Sequence, residues 1–303
     1  MKRSVVIGGG EIGAGWAALF AAHGFDVVLV DPDADALARA HEALREAQTL
    51  GVGGGNAGAV TATRDIEPAL ADADWIQEAT PEELALKQSM FARVESLASS
   101  HATIASSTSS LTRAQLSQGM REPARLLIVH PLHPVYAVPV VEVNADATMP
   151  RADIERVLGT LRALGREPVL VTGDRAGLVA NRLTAALLRE GLDLIATGAI
   201  RAADLDRLVA RGIALGWAVR GPLSTEIIGA RLDAAERLPD ALGATLAPLW
   251  GTLATWDALD ATARAALQRE LRSSLGGIQK AHAAGESTWA KTLSRVARAA
   301  EAD

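Results

Sequence analysis

Through the first half of the chain, short β-branched apolar runs alternate with longer stretches in which apolar residues recur every three to four positions. The runs "SVVIGG", "DVVLVD", "AVTAT", "DWIQEA", "ATIASS", "RLLIVH" and "PVVEV" predict strands, and amphipathic stretches at 33–47, 82–98 and 151–164 predict helices. A last strand is predicted in "REPVLVTGD", 166–174. Such alternation builds a parallel sheet with helices on both faces, because a parallel neighbour needs a long crossover. After Gly177 the strand signals nearly vanish and Leu/Ala/Arg-rich helical patterns dominate. The expected fold is α/β: an N-terminal Rossmann-like doubly wound sheet over 1–175, then an all-helical C-terminal domain over 176–303. No internal repeat is visible, and the low-complexity patch "GVGGGNAG" at 51–58 predicts a flexible loop.

Composition narrows the function. A chain of 303 residues, 49% hydrophobic and 22% charged, can bury substantial cores and has the profile of a globular protein. Its formal charge of -6 leaves no basic stripe for nucleic-acid phosphates. With no cysteine, disulfides, thiolate nucleophiles and cysteine-ligated metals are excluded. No apolar run approaches the ~20 residues that cross a bilayer, and the run after "MKR" is too short for a signal peptide, so a cytoplasmic protein without membrane partners is expected.

The first candidate chemistry lies at the end of the first strand. "VVIGGGEIGAGW" places Gly8-x-Gly10-x-x-Gly13 between a predicted strand and a predicted helix, with Glu11 and Ile12 opening that helix. Glycines there permit a tight turn and let backbone approach a pyrophosphate, whose charge sits at the helix N-terminus. The second strand ends in Asp31, where a carboxylate accepts from ribose hydroxyls and repels a 2′-phosphate, so NAD is expected rather than NADP.

The second candidate is "IVHPLHPVYAVPVVEV", 128–143, which holds His130, His133 and Glu142. A metal pair is a poor reading, because Pro131 and Pro134 forbid the regular helix that would converge His130 and His133, and no ligand cluster accompanies them. Two readings stay open: a core histidine with both nitrogens satisfied, and a base that takes a substrate proton while a carboxylate on the adjacent strand orients it. If the two strands form a hairpin, Glu142 falls beside His130.

Taken in order, "GGGEIGAGWA", "IQEATPEELALKQSMF", "ASSTSSL", "VHPLHPVYAVPVVEV", "AGLVANRL" and "GAIRAADLDRLVARGIALGWAVRGPLSTE" resemble the 3-hydroxyacyl-CoA dehydrogenase family. The likeness is greater to its lambda-crystallin, L-gulonate 3-dehydrogenase and carnitine dehydrogenase-like branch, and it runs from about residue 4 to about 230. The resemblance implies His130 as general base, Glu142 as its orienting partner, Ser109 as a donor to the substrate oxygen and Asn181 as a holder of the substrate carbonyl or carboxylate. It also implies Glu82 and Lys87 as cofactor contacts, and a homodimer. Each of the weaker assignments has an ordinary competitor: Ser109 or Asn181 as helix caps, Lys87 as part of a solvated face.

Departures from the family pattern bear on the substrate. The acyl-CoA enzymes carry a long lysine-bearing hairpin between the second and third strands. Here Gln48 to Ala59 is short, glycine-rich and without a basic residue, so CoA phosphates would lack cationic partners. His133 stands where the family usually has Asn, and Gly216 precedes Trp217 where lambda-crystallin-like members carry Arg. Arg182 or Arg220 is left to grip a carboxylate. One Tyr, three Phe and six Trp give little support to an aromatic cage for a quaternary ammonium.

Rival classes lack their bases. The only tyrosine, Tyr136, is followed four residues later by Val140 instead of the lysine of short-chain dehydrogenases, and Gly177 stands where a 6-phosphogluconate-like enzyme would need lysine. The expected activity is NAD-dependent oxidation of a small L-3-hydroxy carboxylic acid to the 3-oxo acid. The alternatives are an L-3-hydroxyacyl-CoA dehydrogenase and a non-catalytic NAD(H)-binding structural protein.

Overall fold

The computed structural model describes residues 2–229, 238–283, 291–293 and 295–296. Among the described residues eight strands form: β1 (Arg3–Ile7), β2 (Asp26–Val30), β3 (Val60–Thr63), β4 (Trp75–Glu78), β5 (Thr103–Ser106), β6 (Leu126–Pro131), β7 (Val140–Asn144) and β8 (Glu167–Leu170). They join one sheet in the order β3-β2-β1-β4-β5-β6-β7-β8. The strands from β3 across to β6 pair in parallel, β7 runs antiparallel to β6, and β8 parallel to β7. Only residues 132–139 join β6 to β7, too few for a crossover, so the chain must turn straight back. The winding direction reverses between β1 and β4, which opens a crevice at the carboxyl ends of those strands.

Helices α1 (Glu11–Ala22), α2 (Ala36–Thr49), α3 (Ile66–Leu70), α4 (Leu84–Leu97), α5 (Arg113–Leu116) and α6 (Arg151–Ala163) cover the sheet. Because strand side chains alternate between faces, each strand feeds two cores. On one face Val6, Val27 and Leu29 pack with Trp16, Leu19 and Phe20 of α1 and Leu161 of α6. On the other, Val5, Ile76 and Ile104 pack with Phe91 and Val94 of α4 and Leu116 of α5. The central strands β4, β5 and β6 are buried at every position, as a sheet covered on both faces requires.

The chain divides into two compact units, Met1–Arg182 and Leu183–Asp303. The second contains most of α7 (Ala180–Ala196), then α8 (Ala202–Leu208), a π-helical turn at Val209–Ile213, α9 (Ala214–Arg220), α10 (Pro222–Gly229), α11 (Leu238–Trp250) and α12 (Ala261–Ala283). Its core gathers Ile195, Ala202 and Leu267. Gly191 lets α7 approach α8, since a Cβ there would lie 2.9 Å from Leu205 Cδ2. No described helix is long and apolar enough to cross a membrane.

The glycine-rich patch at 51–58 is not the loose loop its composition predicts. A Cβ on Gly53 would sit 2.1 Å from the Ala22 carbonyl oxygen, and one on Gly58 2.0 Å from that of Phe25. These two glycines allow the backbone to press onto the end of α1 and the start of β2, a packing role that composition cannot distinguish from flexibility.

Candidate active site

Each glycine of the first turn has its own geometric task. Gly8 has φ +98°, and a Cβ there would lie 2.5 Å from the Ala79 carbonyl oxygen, so the turn packs directly on the end of β4. A Cβ on Gly13 would lie 1.8 Å from the Gly8 oxygen, so α1 can start there only with glycine. Gly10, by contrast, has nothing within 4 Å of its Cβ position. That open approach leads to the N-terminus of α1, where Glu11 and Ile12 present backbone N–H groups that a helix cannot satisfy itself. A pyrophosphate fits this cradle. Asp31 Oδ2 accepts from Gly9 N at 2.5 Å and Oδ1 from Asp33 N at 2.7 Å, which holds the carboxylate beside the glycine turn. Sequence reasoning missed Arg39 of α2, whose Nε donates to the Gly9 oxygen at 2.8 Å.

His130 lies near the end of β6 and is paired in register with Glu142 of β7. Its Nδ1 is 2.9 Å from Glu142 Oε2, and both side chains are buried. A carboxylate only accepts, so Nδ1 carries the proton and the Nε2 lone pair is left for chemistry. The other oxygen of Glu142 accepts from Val179 N at 2.8 Å and Ala180 N at 3.0 Å, which fixes the carboxylate against the start of α7. One helical step on, Asn181 Nδ2 donates to the Ser109 carbonyl oxygen at 2.9 Å. Ser109 is not a helix cap, because Thr112 caps α5. The His130–Glu142 pair and the Asn181–Ser109 pair are thus joined through the backbone at the start of α7.

Ser109 also touches an ionic network in which Lys87 and Glu78 are buried and Glu82 is exposed. Glu82 Oε1 accepts from Thr108 Oγ1 at 2.5 Å, Ser109 N at 3.1 Å, Ser110 N at 2.9 Å and Ser110 Oγ at 2.8 Å. Its Oε2 lies 3.3 Å from Lys87 Nζ. Lys87 is 1% exposed, far from the solvated face its position on an amphipathic helix suggests, and it donates to Glu78 Oε1 at 2.7 Å and the Thr80 oxygen at 3.0 Å. Glu78, which sequence reasoning missed, also accepts from Thr80 and, through Oε2, from Ser106 Oγ at 2.6 Å. Partial burial works against a charge on Glu82, but hydrogen bonds from Thr108 and Ser110 and the Lys87 ammonium outweigh it and hold its carboxyl down at about 2. On the opposite sheet face, Ser107 Oγ accepts from Trp16 Nε1 at 3.1 Å and Gln77 Nε2 at 2.8 Å.

Arg166 is a second missed residue. It is buried and gives Nη1 to the carbonyls of Val135 at 3.1 Å and Val138 at 2.9 Å, and Nε to that of Leu164 at 3.2 Å. Burial pushes its guanidinium down to about 10, with Glu167 acting the other way. It thereby braces the 132–139 connection behind His130. His133 sits in that connection, half-buried. Arg182 is exposed beside Asn181, whereas Arg220 ends α9 in the second unit.

Residues 4–175 match the family model of the 3-hydroxyacyl-CoA dehydrogenase NAD binding domain. The chain belongs to the 3-hydroxyacyl-CoA dehydrogenase family. As a member it is an NAD-dependent dehydrogenase acting on the CH–OH group of a 3-hydroxy acid. The L-carnitine dehydrogenase of Streptomyces griseus is 33% identical over 84% of this chain and 77% of its own length. A 3-hydroxyacyl-CoA dehydrogenase from Archaeoglobus fulgidus superposes with a TM-score of 0.62 at 30% identity, over 74% of each chain. A 5-formyl-3-hydroxy-2-methylpyridine 4-carboxylic acid 5-dehydrogenase, described as an NAD+-dependent dismutase, superposes with a TM-score of 0.82 at 28% identity over 99% of both chains.

Proposed function

We propose that this dehydrogenase oxidises the 3-hydroxyl of a small free L-3-hydroxy carboxylic acid, with His130 as the general base. The observation that carries the reading is the buried His130–Glu142 pair, 2.9 Å apart, with the second oxygen of Glu142 already committed to backbone N–H groups. NAD, held by Gly8, Gly10, Glu11, Ile12, Gly13 and Asp31, supplies the hydride acceptor. Nε2 of His130 takes the hydroxyl proton, Glu142 stabilises the imidazolium, and Ser109 donates to the substrate oxygen. Asn181 and the exposed Arg182 beside it face the carboxylate end, with Arg220 as the alternative cation. In the reductive direction His130 returns the proton.

Two observations favour a free acid over a CoA ester: the 48–59 segment lacks cations, and both carnitine and the pyridine carboxylate of the relatives are free acids. The relatives put L-carnitine first among candidates, where aromatic content alone gave it little weight. The same reading makes 1–175 the NAD-binding domain and 176–303 a helical domain for substrate selection and dimerisation. Exposed Leu183, Leu187 and Leu188 on α7, and Leu215 and Val219 on α9, support a homodimer. The same reading takes the protein as cytoplasmic.

The test is NADH formation across L-carnitine, L-gulonate, L-threonate, L-3-hydroxybutyrate and L-3-hydroxybutyryl-CoA. Turnover of a free acid with silence on the thioester supports the reading. Turnover of the thioester alone replaces it with the acyl-CoA alternative.

A further inference from the structure

Residues 132–139 carry the chain from β6, which ends one residue past His130, to β7, which holds Glu142. Two sets of partners grip this connection. Arg166 Nη1 donates to the carbonyl oxygens of Val135 at 3.1 Å and Val138 at 2.9 Å, while its Nε reaches that of Leu164 at 3.2 Å. The next amide, Glu167 N, donates to the Pro139 oxygen at 2.9 Å. The second set comes from the helices. A Cβ on Gly15 of α1 would lie 2.9 Å from Val135 Cβ, so the connection rests directly on the helix that follows the glycine turn. The Tyr136 hydroxyl donates to Glu46 of α2. The connection is thus tied to the turn between α6 and β8 and, through Val135 and Tyr136, to α1 and α2.

Arg166 is 8% exposed, and its hydrogen-bond partners are all carbonyl oxygens. Among the described residues no ion pair holds it. Burying a charge without a carboxylate partner is costly, and an apolar side chain of similar length would fill the space without that cost. A methylene chain, however, leaves the carbonyls of an irregular segment without donors, and an ammonium lacks the rigid planar fork that ties 135 and 138 to 164. We propose that Arg166 is a positioning residue of the reaction. Through the fork of its guanidinium it holds the 132–139 connection, and with it the placing of His130 relative to α1. The assignment rests on the proposed role of His130 as general base. Glu142 sets the tautomer of the ring, whereas Arg166 sets where the end of the hairpin lies. Misplacement of a reacting group by about 1 Å can cost ~10²-fold in rate, so a loosened connection is expected to show in turnover.

The experiment compares Arg166→Met and Arg166→Lys with the parent in three measurements. These are kcat and KM for the hydroxy acid at saturating NAD, NADH affinity by fluorescence titration, and hydrogen exchange at the amides of Ala137 and Val138. Both amides donate to the Pro134 oxygen at 3.0 Å and so report on the connection itself. For Arg166→Met, kcat is expected to fall about 10²-fold with KM and NADH affinity little changed, and both amides to exchange faster. Arg166→Lys keeps the charge without the fork, so it should fall between the parent and Arg166→Met in both kcat and exchange. It keeps the test open if Arg166→Met does not fold. Faster exchange with a parental kcat in either variant overturns the proposal, as does a lost kcat with unchanged exchange. Parental values of both in Arg166→Lys overturn it too, as does a loss confined to NADH affinity. The exchange measurement needs no substrate. If His130→Ala retains rapid turnover, the base assignment fails by itself, while the hold of Arg166 on the connection is still judged by the amides.

Discussion

His130 and Glu142 face each other across the antiparallel register of β6 and β7, and the same carboxylate that meets the imidazole also receives the first amides of α7. Glu142→Gln keeps the size of the side chain but lets an NH₂ face the ring, which favours the wrong tautomer. The expected result is a loss in kcat of at least about 10²-fold with NADH affinity retained. A loss below about tenfold would remove Glu142 from the chemistry.

For His130→Ala, turnover is expected to fall by ~10²–10⁴-fold, the usual worth of general acid–base catalysis. NADH titration should be nearly unchanged, because the glycine turn lies between β1 and α1 and not on β6. Rapid turnover by this variant would leave His130 as a core residue.

The glycine turn predicts opposite outcomes three residues apart. Gly13→Ala drives a methyl to within 1.8 Å of the Gly8 oxygen, so a well-folded variant is not expected, and thermal melting should show it. Gly10→Ala meets nothing within 4 Å, so melting should be normal while NADH binding weakens. Equal behaviour of the two variants would refute the division of labour.

Asp31→Ser removes the carboxylate from the cofactor's ribose side and should raise NADP use relative to NAD. Since Asp31 also holds Gly9 N at 2.5 Å, a modest loss with both cofactors is expected alongside the shift. An unchanged NAD/NADP ratio would count against the ribose role.

Glu82 links the 108–110 loop to pH. Its folded carboxyl sits at about 2, below the ordinary 4.5, so its stabilising effect is complete above that ordinary value and is lost as pH falls from there toward 2. The difference in melting temperature between the parent and Glu82→Gln should be flat near neutrality and shrink through that acid window.

Much of this architecture could be read from the chain, because a sheet buried on both faces writes its strands as apolar runs. The pairing of His130 with Glu142 was legible only as a condition, that the two strands form a hairpin, and the antiparallel register of β6 and β7 meets it. Glu78 was hidden for a physical reason: at the end of a buried strand it looks like the polar edge of "DWIQEA", and its partner Lys87 comes from a helix on which lysine ordinarily faces water. Arg166 was equally silent, since its partners are carbonyl oxygens, which every residue has. Gly53 and Gly58 were visible as glycines, but composition does not say whether a glycine serves freedom or close approach.

In the "ASSTSSL" run, neighbouring serines have unrelated duties. Ser106 bonds Glu78 on one sheet face, while Ser107 receives Trp16 and Gln77 on the other. Chemically similar letters are thus told apart only by their phase along the strand. Losing or gaining one residue here would hand the carboxylate's partner to the indole and the indole's to the carboxylate. The segment is therefore expected to accept changes of side chain far more readily than any change of length.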